Sequence, residues 1–152
     1  MRNRKVNFEW NGIQFKNVPI DKYMGRVASV ARQYAKAKYG AKIQTRTDSF
    51  SMGSSIDIYV DPRSVTPEVY KELAADMAHR FDYHTFDSMT DYSGYKTIGK
   101  HGWEPVRSFI DGGNYEFTAK YANVYLGVKY ESSQREAIQE YLENNPEWEG
   151  IR

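Results

Sequence analysis

The 152 residues are enough for one domain with a sizeable core. Lys and Arg number 21 against 20 Asp and Glu, so the net charge is +1, which matches neither a strongly basic nucleic-acid binder nor an acidic DNA mimic. The absence of cysteine excludes disulfide scaffolds, cysteine-rich zinc sites and thiol nucleophiles, and fits a reducing cytoplasm.

The N-terminus, MRNRKVNFEW, has no apolar h-region, so no secretory signal is expected. No apolar run approaches the roughly 20 residues of a membrane span. Hydrophobic residues at 40% and charged residues at 27% are globular values. The aromatic complement is unusual, with 13 Tyr, 7 Phe and 3 Trp, types that fill cores, build interfaces and stack on bases.

The chain opens as a β-hairpin. Val6, Phe8 and Trp10 alternate with polar residues, and Asn11-Gly12 supplies the positive φ angles of a type I′ turn before Ile13 and Phe15. A two-residue loop pairs Trp10 with Ile13 and Phe8 with Phe15 on one apolar face. A helix is predicted over about 21–39, with Asp21 as its cap and Gly40 at C′. Its apolar stripe reads Tyr23, Val27, Val30, Tyr34, Ala37; its opposite stripe reads Lys22, Arg26, Ser29, Gln33, Lys36.

Two strands follow, with Ile43, Thr45 and Thr47 in the first and Ile56, Ile58 and Val60 in the second, joined by a loop over 48–55. Thr66-Pro67-Glu68 starts a second helix with Val69, Leu73, Met77 and Phe81 as its core stripe. The stretch 82–113 is long for a structureless connection and is expected to hide short elements. Strands are then predicted at Tyr115, Phe117, Ala119 and at Val124, Leu126, Val128, Tyr130. A last helix begins with a Ser133/Glu136 capping box and stops at Pro146. The order ββ-α-ββ-α-loop-ββ-α predicts an α+β fold: a mainly antiparallel sheet with about three helices packed chiefly on one face. It reads as a single domain over 1–152, with 1–20 a hairpin extension on a core over 21–145.

Lys22, Arg26, Lys36, Lys42 and Arg46 could follow a phosphate backbone or an acidic surface, though a solvated helix face is the simpler reading. The acids after Tyr130 would oppose nucleic-acid binding if they lie nearby. His79, Asp82, His84, Asp87 and Asp91 are metal-compatible types, but their spacing matches no metal motif; a polar turn is the simpler reading, and no metal or cofactor is expected. There is no GxSxG, GxxxxGK[ST] or GxGxxG, so no catalytic residue is assigned. Phe50 and Met52 stand among small polar residues, as do Phe86 and Met89. Such side chains plug a core from one end or form an adaptable recognition surface, plugging being the commoner use.

The runs Thr47–Asp57 and Phe86–Tyr92 resemble a large polyvalent protein associated domain, the twenty-ninth of that numbered set. The Pro67-Glu68 helix start between them and Tyr121–Leu126 agree, so the resemblance spans about 23–141. It implies a protein of phages or conjugative elements, without catalytic residues to carry over. A small free-standing copy is then expected to be a counter-defence factor of anti-CRISPR or anti-restriction type, acting in the host cytoplasm. Its partner would be a host defence protein such as a CRISPR effector or another nuclease. The partner-binding residues on this reading are Phe50, Met52, Phe86, Asp87, Met89, Asp91 and Tyr92. The alternative is a nucleic-acid-binding module using the five basic residues.

Overall fold

The computed structural model describes residues 3–87 and 92–151. The fold is α+β, in an order close to the expected one. Strands β1 (Lys5–Trp10) and β2 (Ile13–Pro19) form the first hairpin, with Phe8 opposite Phe15 and Trp10 opposite Ile13 as anticipated. Asn11 and Gly12 have φ of 49° and 80°, the two positive values a type I′ turn requires. Helix α1 spans Tyr23–Tyr39 and ends on Gly40, whose left-handed φ of 65° lets its N–H reach back to the last turn.

Two details of α1 depart from expectation. Its N-cap is Lys22, with no side-chain cap, because the Asp21 carboxylate instead accepts the Arg4 backbone N–H at 2.9 Å and the Arg4 guanidinium. The buried stripe is also wider and rotated: Val27, Val30, Ala31, Tyr34 and Ala35 are buried, Ala37 is exposed and Ser29 is buried. The cause is a second neighbour. The Gln33 amide exchanges hydrogen bonds of 2.8 and 2.9 Å with the Lys16 backbone in β2 and donates to the Ser29 hydroxyl, so the predicted polar stripe faces the hairpin.

Strands β3 (Ile43–Phe50) and β4 (Gly53–Val60) run longer than predicted. Their pairing continues to Phe50 opposite Gly53, which reduces the expected loop to a Ser51-Met52 turn. Helix α2 (Pro67–Arg80) starts as read: Thr66 accepts the Val69 N–H at 3.2 Å, with Pro67 in the first turn. Thr66→Ala should therefore cost about 1 kcal/mol, measured by urea denaturation. The stretch 82–113 holds β5 (His84–Asp87), β6 (Tyr92–Tyr95) and β7 (Arg107–Ile110).

The largest departure concerns the later strands. β8 (Gly113–Glu116) pairs back onto β7, and β9 (Tyr121–Leu126) joins β4 in parallel. They do not form a hairpin with each other, because Phe117, Thr118 and Ala119 are buried in the turn of the chain between them. The central sheet has the order β3-β4-β9, with separate two-stranded sheets for the other three hairpins. Helix α3 (Arg135–Asn144) begins one residue beyond the start that a Ser133 cap would set, with Glu136 in its first turn, and has no side-chain cap. Ser132, not Ser133, accepts the Gln134 N–H.

The core lies on one face of the central sheet. Ile56, Ile58 and Val60 point inward with Ile43, against Val30, Tyr34, Leu73 and Met77 of α1 and α2. Trp148, on the turn Pro146–Trp148 after α3, packs edge-on against Tyr70 of α2 at 6.0 Å between ring centroids. The hairpin β1–β2 belongs to the same core: Phe8 stacks on Phe15 and on Phe117, each at 4.9 Å. The outer sheet face carries Arg46, Asp57, Tyr59, Asn123 and Tyr125, with Tyr59 stacked on Tyr125 at 5.4 Å. No helix of the described residues is long and apolar enough to cross a membrane.

Candidate interaction surface

The tight β3–β4 turn decides what its two apolar side chains do. Met52 is 80% exposed and Phe50 45% exposed, so neither plugs the core. Ladder pairing to the very tip carries them beyond the helices that cover the inner face. Lys120 holds the turn in place, its Nζ donating to the Met52 carbonyl at 3.0 Å. Its aliphatic stem lies on Gly53, where a Cβ would stand only 2.6 Å from Lys120 Cδ, so any larger residue there would push the Lys120 side chain aside. Beneath, the buried Ser54 hydroxyl accepts the Lys120 backbone N–H at 3.1 Å and meets the Tyr23 hydroxyl at 3.2 Å.

The β5–β6 hairpin stands beside this turn. Met52, Tyr83, His84, Gly94, Tyr95 and Lys120 line a shallow cleft of about 120 Å³. Tyr83 stacks on Tyr95 at 4.7 Å, and Tyr95 is 73% exposed. The same two rings border a second cleft of about 360 Å³, with Tyr23, Arg26, Asn114, Tyr115, Glu116 and Thr118. A largely aromatic strip thus runs from Met52 across Tyr95 and Tyr83 to Tyr23 and Tyr115.

The β3–β4 turn singled out in the sequence therefore lies beside His84, Gly94 and Tyr95 of β5 and β6. Met89 and Asp91 lie outside the described residues, as do the side chains of Phe86, Asp87 and Tyr92. The backbones of Phe86, Asp87 and Tyr92 form the paired ends of β5 and β6, Asp87 opposite Tyr92.

The five basic candidates do not share a surface. Lys22 and Lys36 stand about 21 Å apart along α1 at 1.5 Å per residue. Arg26 is half-buried, its guanidinium held 5.1 Å from the Tyr23 ring centre and 5.0 Å from that of Tyr115, donating to the Ile20 carbonyl. Burial lowers its pKa, and its Nε is buried without a hydrogen-bond partner. Lys42 is exposed beside Asp61. Arg46 points to the outer sheet face, since its neighbour Thr45 points inward and accepts a hydrogen bond from Arg32 of α1. It also pairs with Glu131 at 2.6 Å, so the acidic C-terminal region does neutralise part of the basic set.

The His/Asp group is structural where it is described. Asp82 accepts the His84 N–H at 2.9 Å and the Ala122 N–H at 3.0 Å, tying the exit of α2 to β9. The His79 carbonyl accepts from Lys96 Nζ and from Trp103 Nε1, and burial with the nearby Lys96 and Arg80 lowers the pKa of the His79 ring. Among the described residues no three His, Asp or Glu side chains gather as a metal site would need.

Tyr83, Tyr95 and Lys120 were not singled out by sequence reasoning. The only advance signal was the high tyrosine content, which does not say which rings face solvent. No protein family, curated protein or solved structure matches the chain.

Proposed function

We propose that this chain is a non-catalytic accessory factor that docks a protein partner through the strip formed by the β3–β4 turn and the β5–β6 hairpin. The observation that carries this reading is the exposure of Met52 at 80% and Tyr95 at 73% around one cleft that Lys120 also lines, with Phe50, 45% exposed, at the end of the same turn. Aromatic and methionine side chains grouped in this way supply large, adaptable contact area, the composition of interface hot spots. The scattered cations favour a protein surface over a phosphate backbone, which needs converging charge. The resemblance to polyvalent-protein domains of phages and mobile elements supplies the partner class: a host defence protein, such as a CRISPR effector or a restriction nuclease. The factor would then act as a stoichiometric inhibitor in the host cytoplasm.

The test is an affinity pull-down from host lysate with the wild-type chain and the Met52→Asp, Tyr95→Ala double variant. The wild type should retain one protein at fixed stoichiometry. The double variant should bind it about 30-fold or more weakly, as loss of about 2 kcal/mol at a hot spot implies. Equal retention by both, or nothing above background in any host, would refute the reading.

A further inference from the structure

We propose that two copies of this chain associate through the free edge of β3, joining their sheets across a two-fold axis at Thr47. In the described residues β3 pairs with β4 on one side and with no strand on the other, and every residue from Arg46 to Phe50 is exposed. Such an edge offers unpaired peptide groups to another strand. The Asp61 N–H donates to the Lys42 carbonyl, which fixes the alternation of the β3–β4 ladder. Even-numbered β3 residues then bond to β4, and odd-numbered ones turn their peptide groups outward. The Lys129 ammonium donates to the outward-facing Thr45 carbonyl at 3.2 Å and would be displaced when a second strand pairs there.

Side-chain charge selects the partner and the register. Pairing Thr47 with Thr47 of a second copy in antiparallel sense sets Arg46 opposite Asp48 twice, once on each side of the axis. It also sets Thr45 opposite Ser49, hydroxyl against hydroxyl. Sliding to either neighbouring symmetric register that keeps peptide groups matched places Arg46 against Arg46, or Asp48 against Asp48. The strand is thus complementary to itself in one alignment. Over 43–50 it has no Pro, no Lys and no bulge; its guards are Lys129 on the Thr45 carbonyl and Glu131 on Arg46, which the second copy's Ser49 N–H and Asp48 would replace. The result is a continuous sheet of order β9-β4-β3 followed by the same strands of the second copy in reverse.

The experiment uses the isolated chain, so it does not depend on whether a heterologous partner docks at the turn. Sedimentation equilibrium over a dilution series should give twice the chain mass at high concentration. Asp48→Lys sets cations opposite one another and should weaken association about tenfold or more. Register is read by cross-linking, which is unambiguous because the chain has no cysteine of its own. Thr47→Cys places two thiol carbons on Cα atoms about 5.5 Å apart, within disulfide range. Ser49→Cys places them about 14 Å apart along the strands, out of range. Oxidation should couple the first variant and not the second. A monomer at all concentrations, an Asp48→Lys variant that associates as tightly as wild type, or equal coupling of the two cysteine variants would overturn the proposal.

Discussion

Replacing Asp76 with alanine should destabilise the fold by about 3–5 kcal/mol, read from chemical denaturation near neutral pH. Asp76 lies on α2 with its side chain only 13% exposed. Its carboxylate accepts from the Tyr34 hydroxyl, the Tyr39 hydroxyl at 2.6 Å, Lys38 Nζ at 3.1 Å and Arg80 Nε at 2.9 Å. Removing it takes the shared acceptor from the Tyr34 and Tyr39 hydroxyls and Arg80 Nε at the α1–α2 contact, while Lys38 keeps the Tyr34 hydroxyl, and orphaned polar groups cost more than the bonds that held them.

Burial alone would raise the Asp76 pKa. The two hydroxyls and the neighbouring Lys38 and Arg80 outweigh it, and hold the carboxyl below its ordinary value. A folded pKa below the unfolded one gives stability that is complete above the ordinary carboxylate range and is lost as pH falls through the folded value. Asp61, buried and held by Arg63 at 2.8 Å, is shifted in the same direction. Wild-type stability should therefore decline below about pH 4, and Asp76→Asn should flatten that decline while lowering the plateau. Burial, then the bond to Asp76, pushes the Tyr39 hydroxyl far above its normal range, so it remains a donor throughout.

The second large effect is expected at Phe15. Phe15→Ala should cost about 3–5 kcal/mol, measured in the same way. Phe15 is fully buried, and its stack on Phe8 continues to Phe117 before β9. Val18 and Ile20 are sealed beside it. A hairpin read from the sequence as an extension thus supplies part of the core that the rest of the chain closes over. Removing residues 1–20 would open that core along α1 and Phe117.

The elements legible in advance were those with strong local chemistry. Asn11-Gly12 fixed a hairpin register, Thr66-Pro67 a helix start and Gly40 a helix end, because each acts through backbone angles or caps that neighbours do not alter. The failures came where distant groups competed. Asp21 and Ser133 look like caps, but Arg4 claims the first, and beside the second Ser132 holds the Gln134 N–H ahead of a helix that has no side-chain cap. The polar stripe Ser29–Gln33 reads as solvent-facing until the Lys16 backbone is known to lie across it. The parallel β4–β9 pairing was hidden because alternation within a strand says nothing about which strand it will join. The aromatic strip was half visible: Phe50 and Met52 were odd in their surroundings, whereas Tyr83 and Tyr95 became a pair only once the β5–β6 hairpin had brought them together.

Asp82 bears on how binding would feel to a partner. One carboxylate grips the base of the β5–β6 hairpin at His84 and the third strand of the central sheet at Ala122, while the Tyr83 N–H donates to the Ala119 carbonyl at 2.9 Å. The rings of Tyr83 and Tyr95 therefore rise from a foundation rather than a tether. A ligand settling there would meet a preorganised platform, and little conformational freedom at that base would remain to be lost on contact.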